Sequence, residues 1–373
     1  MRKMERYKHI VLILSLTVIL SGCTPQSVDA QAANAEQAIF VNGIFPITSG
    51  GRYVLSGMHT GQVIIETTSD EVVELVLDGL TLYNPLGTAI FSSHSGRVEL
   101  VLADGSSNNI VANAAIHTNN DLVISGDGTL TIETKGHAIE TETVIMNGGN
   151  LVITAIGKGI TTIGSALITG GNLHIIDSDE GIEGFNVTIS GGEINIFARD
   201  DAINARDSEE PTGGTRGRFG INPNMFVRIS GGNINLHGLR DGIDSNGNTF
   251  LDGGTLKITA PSTRFGDDAI DQDGIFVVTG GELITAGTIR SVSPQSTQPV
   301  LIVSHGRRLP TGTNIELRDN RGTTLLSYQA RDSFPASAFT SPSFVIGQTY
   351  SLYINNVKTN DITLNGLVTN IRR

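Results

Sequence analysis

Residues 187–204, with the sequence VTISGGEINIFARDDAIN, contain the features that decide the fold. A short strand with alternating apolar residues, VTI, leads into a Gly-Gly pair, and a second alternating strand, EINI, leaves it. The element Asp201-Ala202-Ile203-Asn204 then places one isoleucine among polar and small residues. Alternation with a period of two, bounded by glycine, is typical of β-strands, and the segment lacks the 3.6-residue period of a helix.

The same pattern recurs along the chain. Gly-Gly pairs stand at residues 148–149, 170–171, 191–192, 231–232, 253–254 and 280–281. Successive pairs are 21 to 27 residues apart, except for one step of 40 residues, which we assign to one repeat plus an insertion at 207–224. A β-propeller would need four strands in each repeat of about 40 residues or more. The pattern therefore predicts an all-β parallel β-helix with about 22 residues per coil, in which stacking buries a continuous apolar column.

The N-terminus carries features of an export signal. Residues 2–8 contain four basic side chains, an apolar run follows, and the run ends in Leu20-Ser21-Gly22-Cys23. The run is shorter than an ordinary membrane-spanning helix, and Leu-Ser-Gly-Cys resembles the bacterial lipobox, which implies lipidation of Cys23. An ordinary secretory signal with a chance cysteine is the alternative. The expected organisation is a signal peptide at 1–22, a polar tether at 23–38, the parallel β-helix at 39–290, and terminal coils or a small antiparallel β cap at 291–373.

The net charge of the chain limits the kinds of molecule that it can bind. The net charge is −12, and removing residues 1–22, which carry four basic residues and one acidic residue, makes it −15. A surface this acidic should repel nucleic acid unless cations screen it. We therefore expect no nucleic-acid partner, contact with a membrane only through the lipid anchor, and a monomer in the cell envelope.

A four-residue element recurs once in each coil, with its isoleucine at a constant phase. Its copies begin at His137, Lys158, Glu180, Asp201, Asp241 and Asp268. The isoleucines should point into the core, and the flanking polar residues should face solvent in stacked columns. Strands in a sheet lie about 4.8 Å apart, so the acidic residues would repel one another and their pKa values should rise.

Clustered oxygen ligands of this kind are what Ca²⁺ uses. The alternative is that these residues only form Asx-turns at the corners. The acidic face begins at about residue 177, because earlier coils carry His137, Lys158 and Thr161 instead. The predicted calcium ligands are Glu180, Glu183, Asp200, Asp201, Asn204, Asp241, Asp244, Asn246, Asp268, Asp271 and Asp273.

The acidic elements and the run Asp241-Gly242-Ile243-Asp244-Ser245-Asn246-Gly247 resemble the bacterial carbohydrate-binding-domain lipoproteins. The resemblance covers roughly residues 39–355. It implies a right-handed parallel β-helix, similar in shape to calcium-dependent pectate lyases, that binds calcium and plant polysaccharides. One departure is that the chain has no tryptophan and only six tyrosines, although flat cellulose surfaces are usually held by stacked aromatic rings.

The expected function is calcium-dependent binding of an acidic, uronate-containing polysaccharide, with Lys158, Arg206 and Arg240 as candidate contacts to the ligand. Two alternatives stay open. One is a structural or adhesin solenoid in which calcium only stabilises the fold. The other is a calcium-dependent polysaccharide lyase, in which a lysine or arginine would remove the proton next to the uronate carboxylate. No motif singles out a catalytic residue.

Overall fold

A computed structural model describes residues 36–372, apart from residues 38, 69, 208–220 and 264–265. These described residues form 32 β-strands and no helix. Accordingly, none of them belongs to a helix long and apolar enough to span a membrane. The predicted signal peptide, Cys23, most of the tether and most of the 207–224 insertion lie outside the described residues.

Parallel strands stack into a β-solenoid of about 10 turns with about 23 residues per turn, which confirms the predicted parallel β-helix. The strands of the first turns are β1 (Glu36–Gln37), β2 (Ile44–Ile47), β3 (Gly51–Thr60), β4 (Gln62–Glu66), β5 (Val72–His94), β6 (Arg97–Leu102), β7 (Ser107–Thr118), β8 (Asp121–Gly126), β9 (Thr129–Thr134), β10 (Ile139–Thr141), β11 (Val144–Met146) and β12 (Asn150–Ala155). The later turns contain β13 (Ile160–Thr162), β14 (Ser165–Ile168), β15 (Asn172–Asp177), β16 (Ile182–Gly184), β17 (Asn186–Ile189), β18 (Glu193–Ala198), β19 (Ile203–Ala205), β20 (Phe226–Gly238), β21 (Ile243–Ser245), β22 (Asn248–Thr259), β23 (Ile270–Gln272), β24 (Phe276–Val278) and β25 (Glu282–Ala286).

Each short strand pairs in parallel with the equivalent strand of the next turn. Strand β16, for example, lies between β13 and β19. The recurring isoleucines face each other in register, and all are buried: Ile139, Ile160, Ile182, Ile203, Ile243 and Ile270. Burying one such side chain is worth about 1.5–3 kcal/mol, so the six isoleucines together stabilise the stacked turns.

The Gly-Gly pairs form one corner of the solenoid. Gly192 has a φ of +92°, in the left-handed region that favours glycine. A Cβ on its neighbour Gly191 would lie 2.3 Å from the carbonyl oxygen of Thr169 in the preceding turn. The first glycine therefore permits close approach between turns, and the second permits the change of direction.

The C-terminal residues form antiparallel structure and one further parallel strand. Seven strands follow β25. They are β26 (Val300–Leu309), β27 (Asn314–Arg318), β28 (Thr324–Gln329), β29 (Phe334–Thr340), β30 (Thr349–Ile354), β31 (Val357–Thr363) and β32 (Val368–Arg372). Strand β29 pairs antiparallel with both β25 and β26, so it covers the last solenoid strand. A separate four-stranded antiparallel sheet has the order β28-β27-β30-β31.

Candidate metal-binding face

The recurring element builds two columns of side chains on one face of the solenoid. The upstream column consists of the residue two positions before each isoleucine: His137, Lys158, Glu180, Asp201, Asp241 and Asp268. The downstream column consists of the residue after each isoleucine: Glu140, Thr161, Glu183, Asn204, Asp244 and Asp271. Strand pairing aligns the downstream residues turn upon turn. Backbone hydrogen bonds link the upstream positions of consecutive turns in the same way. The predicted stacking is confirmed.

The prediction that these acids face solvent is wrong. Asp201 is 4% exposed, and Glu180, Glu183, Asp241 and Asp271 are also buried. The side chains point away from the apolar core, but neighbouring turns stack so closely that each side chain covers the next. Buried carboxylates need a compensating charge or hydrogen bonds, because removing a charge from water is costly.

At the N-terminal end of the acidic columns a lysine supplies that charge. Lys158 Nζ lies 3.4 Å from Glu180 Oε2 and also contacts Glu183 Oε2. Arg206 Nε lies 3.6 Å from the same Glu183 oxygen, and Thr161 Oγ1 donates a hydrogen bond to Glu183 Oε1 at 3.1 Å. Burial alone would raise the pKa of Glu183, but hydrogen bonds from Glu180 and Lys158 and the nearby positive charges hold it below its ordinary value.

At the C-terminal end of the acidic columns an arginine supplies the compensating charge. Arg290 Nη2 lies 2.6 Å from Asp271 Oδ2, and Arg290 Nε lies 3.0 Å from Asp268 Oδ2. The hydroxyl of Thr288 also donates to Asp268. The acids at both ends of the columns are therefore paired with basic side chains.

The central turns hold two overlapping groups of carboxylates. Oxygen atoms of Glu180, Asp200 and Asp201 lie within 4.8 Å of one another, and so do oxygen atoms of Asp201, Asp241 and Asp244. Asp201 belongs to both groups. In the part of the chain that the structure describes, neither Asp201 nor Asp241 forms an ion pair with a basic side chain.

Burial of these central acids changes their pKa values. It raises the pKa of Asp201 to about 9, and the charges of Asp244, Asp241 and Asp200 add to the effect. It also raises the pKa of Asp241 to about 8 and that of Glu180 to about 9. The predicted rise is found at these three acids and not at Glu183, and its largest cause is the loss of water around the carboxylates, ahead of repulsion between them.

Asn204 adds a further oxygen to the centre. Its Nδ2 donates to Asp201 Oδ2 at 3.4 Å, and its side chain is 5% exposed. Its Oδ1 accepts no hydrogen bond from any described residue. An unpartnered, buried amide oxygen beside several carboxylates matches the hard oxygen ligands that Ca²⁺ and similar cations take. The central residues could therefore hold a metal ion.

The predicted ligands separate into three sets. Five belong to the two central groups: Glu180, Asp200, Asp201, Asp241 and Asp244. Three contact basic side chains at the ends: Glu183, Asp268 and Asp271. The other three are Asn204, Asn246 and Asp273. Asn204 lies in the centre beside Asp201. Asn246 and Asp273 are in neither central group, and Asp273 is exposed.

The candidate ligand contacts differ in exposure. The side chains of Lys158 and Arg206 are only 18% and 20% exposed, and both contact Glu183. Arg240 is 44% exposed and spans two turns, with Nη1 3.1 Å from Asp200 Oδ1 and Nε 3.5 Å from Asp267 Oδ1. It lies at the rim of the central group and is the most accessible of the three.

Sequence reasoning missed Arg290. The Gly-Gly pattern stops after Gly281, and Ile289 follows Ile270 by only 19 residues, fewer than a full turn. Ile289 nevertheless bridges Ile270 in parallel, which makes Arg290 the next member of the downstream column. The sequence signal that could have indicated Arg290 is the dipeptide Ile289-Arg290, which repeats the last two positions of the element, an isoleucine followed by a polar or charged residue.

The downstream column also continues toward the N-terminus. His117 precedes Glu140, and Phe91 precedes His117. The rings of Phe91 and His117 lie 5.5 Å apart, and His117 Nδ1 lies 3.2 Å from Glu140 Oε2. The face thus changes along its length from aromatic to acidic.

The match to a family model and one relative both indicate a carbohydrate-binding class of protein. Residues 42–288 match the family described as carbohydrate-binding domain-containing protein. A protein with that description from Acetivibrio thermocellus is 27% identical in a 187-residue alignment that covers 40% of this chain, and the chain spans 65% of that relative's length. A solved structure, described as the polysaccharide lyase-like protein from C. thermocellum in a gadolinium derivative, covers 70% of this chain and 96% of its own at 24% identity, with a TM-score of 0.41.

Proposed function

Because the chain belongs to the carbohydrate-binding domain-containing protein family, we propose that it binds an acidic, uronate-containing polysaccharide, with calcium held at the central acidic turns. The observation that carries the proposal is the buried oxygen cluster around Asp201. Two carboxylate groups share this residue, and the unpartnered Oδ1 of Asn204 lies on the adjacent side chain.

The donor set favours calcium among the metals. Every candidate ligand offers oxygen, and neither carboxylate group contains a histidine or a cysteine. Oxygen-only sets with several carboxylates are typical of Ca²⁺, whereas zinc and copper sites usually include nitrogen or sulfur. A bound Ca²⁺ would neutralise the central carboxylates and offer further coordination positions to oxygens of the ligand.

Arg240 is the proposed direct contact to the polysaccharide. Its guanidinium group lies at the rim of the central cluster and is partly exposed. Guanidinium groups bind carboxylates through two parallel hydrogen bonds, which suits a uronate. Lys158 and Arg206, being less exposed and shared with Glu183, hold the acidic columns together instead.

A polysaccharide lying along the solenoid axis would also reach Phe91 and His117. Five strand spacings, roughly 24 Å, separate Phe91 from Asn204 along the downstream column. The apolar ring of Phe91 offers a surface for stacking against a sugar ring. The proposed binding face therefore extends over several sugar units.

We further propose that the protein is exported and anchored to the cell envelope by lipid on Cys23, as a monomer. Support comes from the basic, apolar and Leu-Ser-Gly-Cys segments of the N-terminus. The residues concerned lie outside the described part of the chain.

A second candidate function is a structural or adhesin solenoid in which the metal stabilises the fold and meets no ligand. The burial of Asp201 and Asp241 favours it, because a ligand needs access to the ion. The partly exposed Asp200 and Arg240 at the rim favour the binding protein instead.

A lyase is the third candidate. The observation in its favour is Lys158, a basic residue held beside two acids of the columns. Its amine is engaged by both carboxylates, so we rank this activity below binding.

The test is a calorimetric titration of the purified protein with polygalacturonate, in calcium and in chelator, while the ultraviolet absorbance of unsaturated products is followed. Calcium-dependent heat without new absorbance is the expected result. Asp201→Asn should abolish that heat, whereas Asp252→Asn, in β22 and outside the two columns, should keep it. Rising absorbance would establish the lyase. Calcium-induced stabilisation without heat from the polysaccharide would establish the structural role.

A further inference from the structure

The two acidic columns end in basic residues that belong to the columns themselves. Lys158 occupies the upstream position one turn before Glu180. Arg290 occupies the downstream position one turn after Asp271, because Ile289 bridges Ile270 in register. Both cations are therefore set in place by the stacking of the solenoid.

Each of these cations contacts an acid of both columns. Lys158 contacts Glu180 and Glu183, and Arg290 contacts Asp268 and Asp271. An ammonium or guanidinium group in this position supplies the positive charge that a bound cation would otherwise supply. It also repels a cation at the same pair of acids, strongly so at sites with little water.

The centre of the columns differs. Among the described residues, Asp201 and Asp241 form no ion pair, and the buried Oδ1 of Asn204 accepts no hydrogen bond. Both ends therefore carry a cation that contacts the columns, whereas the ion pairs of Arg240 beside the middle are with Asp200 and Asp267, which are not members of the columns.

We propose that Arg290 and Lys158 are built-in counter-ions that confine metal binding to the central turns, with Arg290 fixing the number of ions at the C-terminal end. This inference rests on the proposed calcium-dependent function. Asp268 and Asp271 could serve a metal ion only if Arg290 were absent. Lys158 competes with the metal for Glu180, which belongs to one of the central carboxylate groups.

The test measures calcium stoichiometry and affinity by equilibrium dialysis and calorimetry on the purified protein. Arg290→Gln should bind one more calcium ion than the unaltered protein, and Arg290→Lys, which keeps the charge, should not. Arg228→Gln is the matched control, because Arg228 also pairs with an aspartate of the next turn, Asp252, but lies outside the columns. An unchanged stoichiometry in folded Arg290→Gln would overturn the inference.

The opposite end provides an independent measurement. Lys158→Gln should tighten calcium binding by about tenfold, because Glu180 then serves the central group alone. Unchanged or weaker binding would contradict the proposed competition. Absence of calcium binding in the unaltered protein would refute the proposed function, whereas calcium binding that neither variant alters would refute this inference alone.

Discussion

The turns around Glu140 and Thr161 and those around Asn204 and Asp244 share one backbone arrangement and differ in their outward chemistry. In both regions an isoleucine of the same phase is buried, and the strands keep the same register. Outside, the first region carries a histidine, a glutamate and a threonine, and the second carries buried acids. The inward residues therefore determine the fold, and the outward residues are free to determine the chemistry.

The two regions also satisfy their polar groups differently. In the first region neutral hydroxyls bond to one another and to the backbone, as Thr118 Oγ1 does with Thr141 Oγ1 at 2.7 Å. In the second region the corresponding strands end in Gly184, Ala205 and Ser245, and the polar groups of the columns are carboxylates. In the first region these hydroxyls are satisfied internally, whereas in the second Asp201 and Asp241 form no ion pair with a described basic residue.

The largest effect on stability should come from shortening an inward isoleucine, and it should be similar in both regions. Ile203→Ala and Ile139→Ala should each lower the free energy of unfolding by about 2–5 kcal/mol, because both remove a buried side chain from the same column. Chemical denaturation in chelator measures this cost. Thr188→Ala, at an outward position of β17 outside the two columns, should change stability by about 0.5 kcal/mol or less. A much smaller cost at either isoleucine would contradict the shared role of the inward column.

The pH dependence of stability should distinguish the acidic region from the region around Glu140 and Thr161. Asp201 and Asp241 have an ordinary pKa of 3.8, which the fold raises to about 9 and about 8. Their contribution to stability is complete below the ordinary value and is lost as pH rises through the folded values, because only the folded state resists ionisation. The melting temperature in chelator should therefore fall between about pH 5 and about pH 9.

Added calcium should oppose that fall, since a cation binds the ionised carboxylates. The double variant Asp201→Asn, Asp241→Asn should have a flatter profile in chelator and lose the calcium effect. A metal-free melting temperature that rises across this range would show that other groups dominate.

A moderate effect is expected at the rim of the centre. Arg240→Gln should weaken polygalacturonate binding by about tenfold or more at saturating calcium, because a charge-assisted hydrogen bond contributes about 1.5–3 kcal/mol. Calcium stoichiometry should not change. Arg228→Gln serves again as the control and should bind as tightly as the unaltered protein. Equal affinities for both variants would remove Arg240 from the binding face.

The smallest effect should come from the aromatic end of the face. Phe91→Ala should weaken the binding of long oligosaccharides by about fivefold and leave short ones unaffected, as the loss of one stacked ring of about 1 kcal/mol would. Phe226→Ala, in β20 and outside the downstream column, is the matched control. Equal losses for long and short ligands would argue against a face that extends along the column.

The sequence predicted the repeat, the parallel strands and the register of the isoleucines, because glycine corners and inward apolar residues recur at fixed spacing. It did not predict that the acids are buried. Burial depends on how tightly the side chains of adjacent turns cover one another, which no single repeat reveals. The columns that were expected to face solvent are therefore largely buried, as the 4% exposure of Asp201 shows.

The sequence also did not predict which acids of the candidate site are paired with basic side chains. Glu183 and Asp271 have the same position in the element as Asn204, yet they contact Lys158 and Arg290, whereas Asn204 contacts Asp201. These partners come from adjacent turns, and Arg290 follows a turn of irregular length. A prediction from the element alone gives every copy the same role, whereas the three-dimensional neighbours decide which copies are already neutralised.

The register around the long insertion has a consequence for building new proteins on this scaffold. Ile203 still faces Ile243, and Asn186 still faces Phe226, although one repeat here is about twice the usual length. The entropic cost of a loop grows only slowly with its length, so the stacked strands can tolerate extra chain at this corner. The junction between β19 and β20 is therefore a suitable place to graft a foreign segment next to the acidic face.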